Sequence, residues 1–151
     1  MITKLLLTLG AFLFMELMAW FTHKFVMHGF LWVLHRDHHV KEHVDSVIEK
    51  NDSFFLVFAI PAMLLFAAST FGDVWWAFYI ALGITFYGMA YFLVHDVFIH
   101  QRIKLFRHAD GRYFKAIRRA HKMHHKHVTK EHGECFGMLW VPMKYFKEAI
   151  K

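Results

Sequence analysis

Apolar residues gather into three long stretches of this chain, and polar ones collect between and after them. Residues 5–21 are apolar with one acidic interruption, Glu16, while residues 54–71 and 74–94 carry no charge. A helix that crosses a bilayer needs about 20 apolar residues, within a range of roughly 17–25. The pattern therefore predicts three membrane-crossing helices. Only Gly72 and Asp73 separate the last two, which predicts a tight helical hairpin. Pro61 falls inside the second stretch and is expected to kink it, a distortion that neighbouring helices tolerate. The first stretch lacks a small-x-small cleavage site and runs at once into a histidine motif. It reads as a retained helix rather than a signal peptide.

Composition agrees. The 151 residues are read as one membrane-embedded domain, 1–151. Hydrophobic residues make up 57% and aromatics 19%, against about 45–50% apolar in an ordinary soluble domain. A core this small cannot hide them all, so part of the surface is expected to face lipid. Trp75 and Trp76 read as anchors at the membrane interface. The fold class is all-α, an integral-membrane helical bundle of three to four spans. A single cysteine, Cys135, excludes an internal disulfide, a thiolate zinc finger and a Cys-ligated iron–sulfur cluster.

Charge adds orientation. One Lys or Arg precedes the first stretch, four lie between the first and second, none sits in the hairpin turn and thirteen follow residue 94. The positive-inside rule then puts the 22–53 loop and the C-terminal region in the cytoplasm, with the N-terminus and the Gly72 turn opposite. The net charge of +6 is read as topology and lipid-headgroup contact, with no nucleic-acid partner. The sharper reading of the basic surface is a docking patch for an acidic electron carrier.

The fourteen histidines obey the same division, since each lies within 23–43 or 95–132. Both regions are expected at one membrane face. Ten of them form a doubled pattern: His23-x4-His28 then His35-x2-His38-His39, and His95-x4-His100 then His121-x2-His124-His125. On an α-helix, positions i, i+3 and i+4 share a face, so each triad is expected to converge on one point. The i, i+5 pairs do not share an α-helical face and suit a helix end or a bulge, where their two rings reach different metals. Gly29 would permit such an end. On a helical wheel over 112–126 the histidines continue the apolar arc rather than the basic one.

Ten imidazoles are too many for one ion and suffice for two, and imidazole suits iron, zinc, copper or nickel. Soluble di-iron bundles rely on Glu and Glu-x-x-His, a pattern missing here. Asp37 and Asp96 are candidates to orient an imidazole from behind, with a helix-end or solvent-facing role as the plain alternative. His43, His108, His127 and His132 match no motif and read as surface or loop residues. Glu16, an acid inside a span, either bonds to a neighbouring helix or lines a channel.

These motifs, in this order and on this membrane plan, resemble the fatty acid hydroxylase superfamily, and within it the bacterial-type beta-carotene hydroxylases. Besides the four histidine motifs, the resembling residues are Asn51-Asp52, Gln101-Arg102, and Phe136-Gly137 through Pro142. The resemblance covers about residues 12–145. It implies an O2-dependent, non-haem di-iron monooxygenase with the ten motif histidines as ligands of two iron ions. The implied reaction hydroxylates carbon 3 of both beta-ionone rings of beta-carotene, giving zeaxanthin by way of cryptoxanthin. Reduced ferredoxin or a similar carrier would supply the electrons. The substrate would arrive from the bilayer of a bacterial-type inner membrane, with Trp32, Phe92 and Phe98 as expected contacts, and a homo-oligomer is compatible. One departure stands out. The family commonly has Gly-Leu-Val between the third motif's Asp and His, and a Pro soon after the Arg. This chain has Val97-Phe98-Ile99 and Ile103-Lys104, which puts ring-end selectivity in question.

Three rivals remain. A fatty acyl or sterol hydroxylase or desaturase shares the site and differs in its pocket. A metal-binding or metal-transporting membrane protein needs polar residues along the spans, where only Glu16 supplies an acid. A haem anchor uses two histidines and leaves eight unexplained.

Overall fold

A computed structural model describes residues 1–40 and 48–149, so His43 lies outside the described residues. The described chain is all-helical. α1 covers Ile2–Phe21 and continues without a break into a π-helical segment, Thr22–Phe30. A kink at Gly29 (φ −103°, ψ −121°) turns the chain into α2, Trp32–His39. A short 3-10 turn, Lys50–Phe54, leads into α3, Phe55–Phe71. α4 spans Trp75–Tyr91 and again runs on as a π-helix, Phe92–Ile99. α5, Arg112–His125, and the short α6, Met143–Glu148, complete the chain.

Three helical rods are long and apolar enough to cross a membrane: Ile2–Phe30, Lys50–Phe71 and Trp75–Ile99. Each exceeds the stretch read from hydropathy, because the π segments and the 3-10 turn prolong it. Few of their side chains are buried within the molecule, so the apolar majority faces outward as lipid-exposed surface must. The α3–α4 hairpin forms as expected, with Asp73 in the left-handed region (φ 54°). α3 runs uninterrupted through Pro61.

α4 is the central rod and packs along both α1 and α3. The α1–α4 contact is close because Gly83 has no side chain. A Cβ there would lie 2.3 Å from the Thr8 carbonyl oxygen and 2.7 Å from the Ala11 Cβ. Toward the histidine end, Met15, Ala19 and Tyr87 form one buried cluster. A second core joins Phe98 to Ala116, Ile117 and Ala120 of α5 and to Val141 and Tyr145 of the C-terminal segment. It clamps α5 and α6 across the end of the bundle, opposite the α3–α4 turn.

Glu16 has the interhelical role. Its carboxylate accepts the N–H groups of Met138, Leu139 and Trp140 and the hydroxyl of Tyr87, at 2.7–3.1 Å. An acid inside a span is thereby satisfied. The loop after α5 is tied to the helices through it.

Candidate metal centre

Two adjoining groups of imidazoles fill the space between the helix ends and α5. His23, His28, His35, His39 and His124 form the first, and His38, His95, His100 and His121 the second; within each group the ligand atoms lie within 4.8 Å of one another. His125 stands beside the second group and borders the first, with ring centroids 4.7 Å from His38, 5.0 Å from His100, 4.5 Å from His121 and 4.6 Å from His39. Its Nε2 is buried and has no hydrogen-bond partner among the described residues.

The π-helical segments explain the i, i+5 pairs. A π-helix closes its hydrogen bonds from i to i+5, and the His100 N–H donates to the His95 carbonyl at 2.9 Å. His95 and His100 therefore fall into one group, as do His23 and His28 (ring centroids 4.5 and 5.2 Å). The expectation that each pair reaches two metals assumed an α-helical turn, and it is corrected here. The triads divide in the opposite sense. His35 and His39 join the first group while His38 turns to the second, and His121 stays in the second while His124 crosses to the first. On an α-helix the i+3 and i+4 side chains diverge by about 100°, so a triad facing two pockets side by side splits between them. Each half of the repeat thus lends its middle histidine to the other half's group.

Hydrogen bonds place the ring protons. In the first group, Nδ1–H donates to Phe136 O from His23 (3.0 Å), to Lys130 O from His28 (3.3 Å) and to Asn51 Oδ1 from His35 (2.6 Å). It also donates to His127 O from His39 (2.9 Å) and to Glu134 O from His124 (2.8 Å). In the second group, His38 Nδ1–H donates to Glu49 Oε2 (2.7 Å) and His95 Nδ1–H to Asp96 Oδ2 (3.4 Å). With the proton on Nδ1, each Nε2 presents a lone pair.

Those lone pairs face one another. Nε2 to Nε2 distances are 3.1 Å for His23–His35, 3.1 Å for His39–His35, 3.3 Å for His28–His124 and 3.0 Å for His38–His95. None of these four pairs has a proton left to share. Neutral imidazoles gathered this way repel unless a cation stands between them. The donor set therefore fits metal ions in both groups. Burial keeps the rings uncharged as well: it lowers His124 to about 3, His39 to about 4 and His35 to about 2, and holds His38 and His121 well below the ordinary histidine range.

The remaining candidates fall in different places. Asp96 lies behind His95 and also pairs with Arg102 Nε at 3.2 Å. Asp37 accepts the Lys50 N–H at 2.6 Å, at the start of the 3-10 turn. Trp32 packs against His28 and His39 (5.1 and 5.2 Å). Phe92 is half exposed on the outer face, and Phe98 is buried against α5 under the Arg118 guanidinium, 4.1 Å away. His127 offers its backbone carbonyl to His39.

Sequence reasoning gave no role to Glu49, Asn51 or Arg102. Glu49 holds His38 and pairs with Arg102 at 2.8 Å; Arg102 also pairs with Asp52 at 2.9 Å. Asn51-Asp52 and Arg102 were among the family-like residues, which was the available signal. The four loop carbonyls left none, because a carbonyl belongs to every residue type.

The sequence model of the fatty acid hydroxylase family matches residues 8–143. A beta-carotene hydroxylase of Paracoccus sp. (strain PC1) is 42% identical over 144 residues, covering 93% of this chain and 85% of that protein. One from Pseudescherichia vulneris is 38% identical over 150 residues, covering 99% and 84%. The chloroplastic beta-carotene 3-hydroxylase of Gentiana lutea is 34% identical over 139 residues, covering 90% of this chain and 42% of that longer protein. No solved structure shows a significant match.

Proposed function

We infer function from this premise: the chain belongs to the fatty acid hydroxylase family. It is a hydroxylating oxidoreductase, and its substrate is beta-carotene, hydroxylated at carbon 3 of the beta-ionone rings to give cryptoxanthin and then zeaxanthin. The observation that carries the reading is the convergence of nine imidazoles into two adjoining groups, with His125 beside them, at one end of an apolar bundle. Two iron ions held there, by His23, His28, His35, His39 and His124 and by His38, His95, His100, His121 and His125, supply the activation of O2 that side chains lack.

Each hydroxylation takes one O2, two electrons and two protons, and releases one water with the alcohol. The protein's part is orientation. Oxygen acceptors behind the rings fix the Nδ1–H tautomer of seven histidines and aim Nε2 inward, which also raises ligand basicity. Apolar walls keep water from the ring carbon, and Trp32 closes the first group from the side. The site serves a substrate dissolved in lipid and a donor dissolved in water. In this reading it faces the cytoplasm of a bacterial inner membrane. The basic surface of α5 receives a reduced ferredoxin or a similar acidic carrier.

Pigment chromatography of cells that accumulate beta-carotene tests the reading. Cells expressing this chain should produce hydroxylated carotenoids, and cells expressing the His124→Ala variant none. Unaltered pigment with the intact, membrane-inserted and donor-supplied protein overturns the substrate assignment. Full activity in the variant overturns the ligand assignment.

A further inference from the structure

α1 and α3 both pack on α4 but make little contact with each other. The gap between them is an apolar cavity of about 590 Å³, within the 300–1,000 Å³ of typical ligand sites. Ile80 and Ile84 of α4 form its floor, with walls that include Phe14 and Met18 of α1 and Val57 and Pro61 of α3. One end reaches Thr22, directly before the metal-site residue His23. The other reaches Leu6, sixteen residues earlier on α1, about 24 Å away at 1.5 Å per residue.

We propose that this groove is the bed for the long apolar chain of the substrate, with the reacting ring at the Thr22 end beside the first histidine group. The proposal rests on the carotenoid reading above and adds where the rest of the molecule lies. Length argues for it, since a ring alone has no use for a slot running most of the length of α1. Chemistry argues for it too. Among the described residues Thr22 is the one polar side chain in the lining, and Glu16 is turned away to Met138–Trp140. A bilayer lipid would need a partner for its headgroup at one end, and the lining has no charged side chain to offer. A linear, uncharged polyene needs none.

Gly10 sets how far the groove extends. It lines the groove twelve residues before Thr22, and a Cβ added there meets nothing within 4 Å. A side chain added at this lining position therefore meets no backbone, and a large one is placed to narrow the groove. Gly88 of α4 is equally open but lies outside the lining, and makes the control.

The test uses metal-loaded protein in nanodiscs and measures beta-carotene binding by absorbance, alongside turnover of beta-carotene and of the short-chained β-ionone. Gly10→Trp should weaken beta-carotene binding at least tenfold and shift preference toward β-ionone by a similar factor. Gly88→Trp should do neither. Equal beta-carotene binding in the intact and Gly10→Trp proteins overturns the groove assignment. So does mass spectrometry showing that Gly10→Trp expels a bound membrane lipid while carotenoid binding is unchanged. Gly10-dependent binding without any hydroxylated product keeps the groove and overturns the reaction. Product formed equally by both proteins does the reverse.

Discussion

The two histidine groups use the same parts in the same order and are supported by different chemistry. The first is backed by neutral groups: four loop carbonyls, from His127, Lys130, Glu134 and Phe136, and the Asn51 amide. The second is backed by carboxylates. Glu49 and Asp96 sit behind His38 and His95, and Arg102 ties both acids to Asp52. Burial pushes the Glu49 carboxyl upward, and the Arg102 guanidinium opposes that shift. A carboxylate behind a metal-binding imidazole makes it a stronger donor than a carbonyl does. Duplicating a motif therefore does not duplicate a site. An ion held by the second group would be bound more tightly and favoured in its more highly charged state.

The largest effect should come from the exchanged middle histidines. His38→Ala removes a donor from the second group, and His124→Ala one from the first. Each should abolish detectable turnover and lower bound metal below two ions per chain, read by elemental analysis. If either variant keeps two ions and full activity, the crossed-over assignment fails.

Glu49→Gln comes next. The amide keeps an acceptor for His38 but loses the charge, so affinity for one ion should fall about 10–100-fold while the other holds. A two-step metal titration would show the tighter step weakened. Two unchanged steps would erase the distinction between the groups. Asn51→Leu should act on the first group alone and more mildly. It strands the His35 Nδ1–H, but four carbonyl-backed rings remain, and a drop of about tenfold in the weaker step is expected, in line with about 1–3 kcal/mol for an unpaired buried donor.

The effect with the least bearing on turnover at neutral pH is one both groups share. Unfolded imidazoles take up protons near pH 6.5. In the folded, metal-free protein burial delays this to about 4 for His39, about 3 for His124 and about 2 for His35. Between those limits the unfolded chain binds more protons. Metal-free protein should therefore hold its full stability above pH 6.5 and lose it progressively as pH falls toward 4 and below. Thermal melts of the metal-free protein across pH 4–8 would check this. A flat profile would mean the rings are open to water.

Much of the bundle was legible because its signals are local. Apolar runs of bilayer length, the short turn at Gly72-Asp73 and the charge-free second and third stretches each follow from side-chain chemistry counted along the chain. The histidines were legible because ten uncommon residues repeat at fixed spacing. Their partition was not. It depends on two helices changing hydrogen-bond pattern at Thr22 and Phe92, and Thr-His-Lys and Phe-Leu-Val carry no π-helical mark. Pro61, by contrast, is carried inside α3 without ending it.

By itself the sequence determined which residues meet water and lipid and which could hold metal, since burial preference and imidazole chemistry belong to the side chains wherever they sit. Tertiary structure alone decided which histidine joins which group, what stands behind each ring, and where α1 and α3 part to leave a groove. Those outcomes are set by distances between residues far apart in the chain, as between His23 and Phe136 or Glu49 and Arg102, and no spacing along the sequence encodes them.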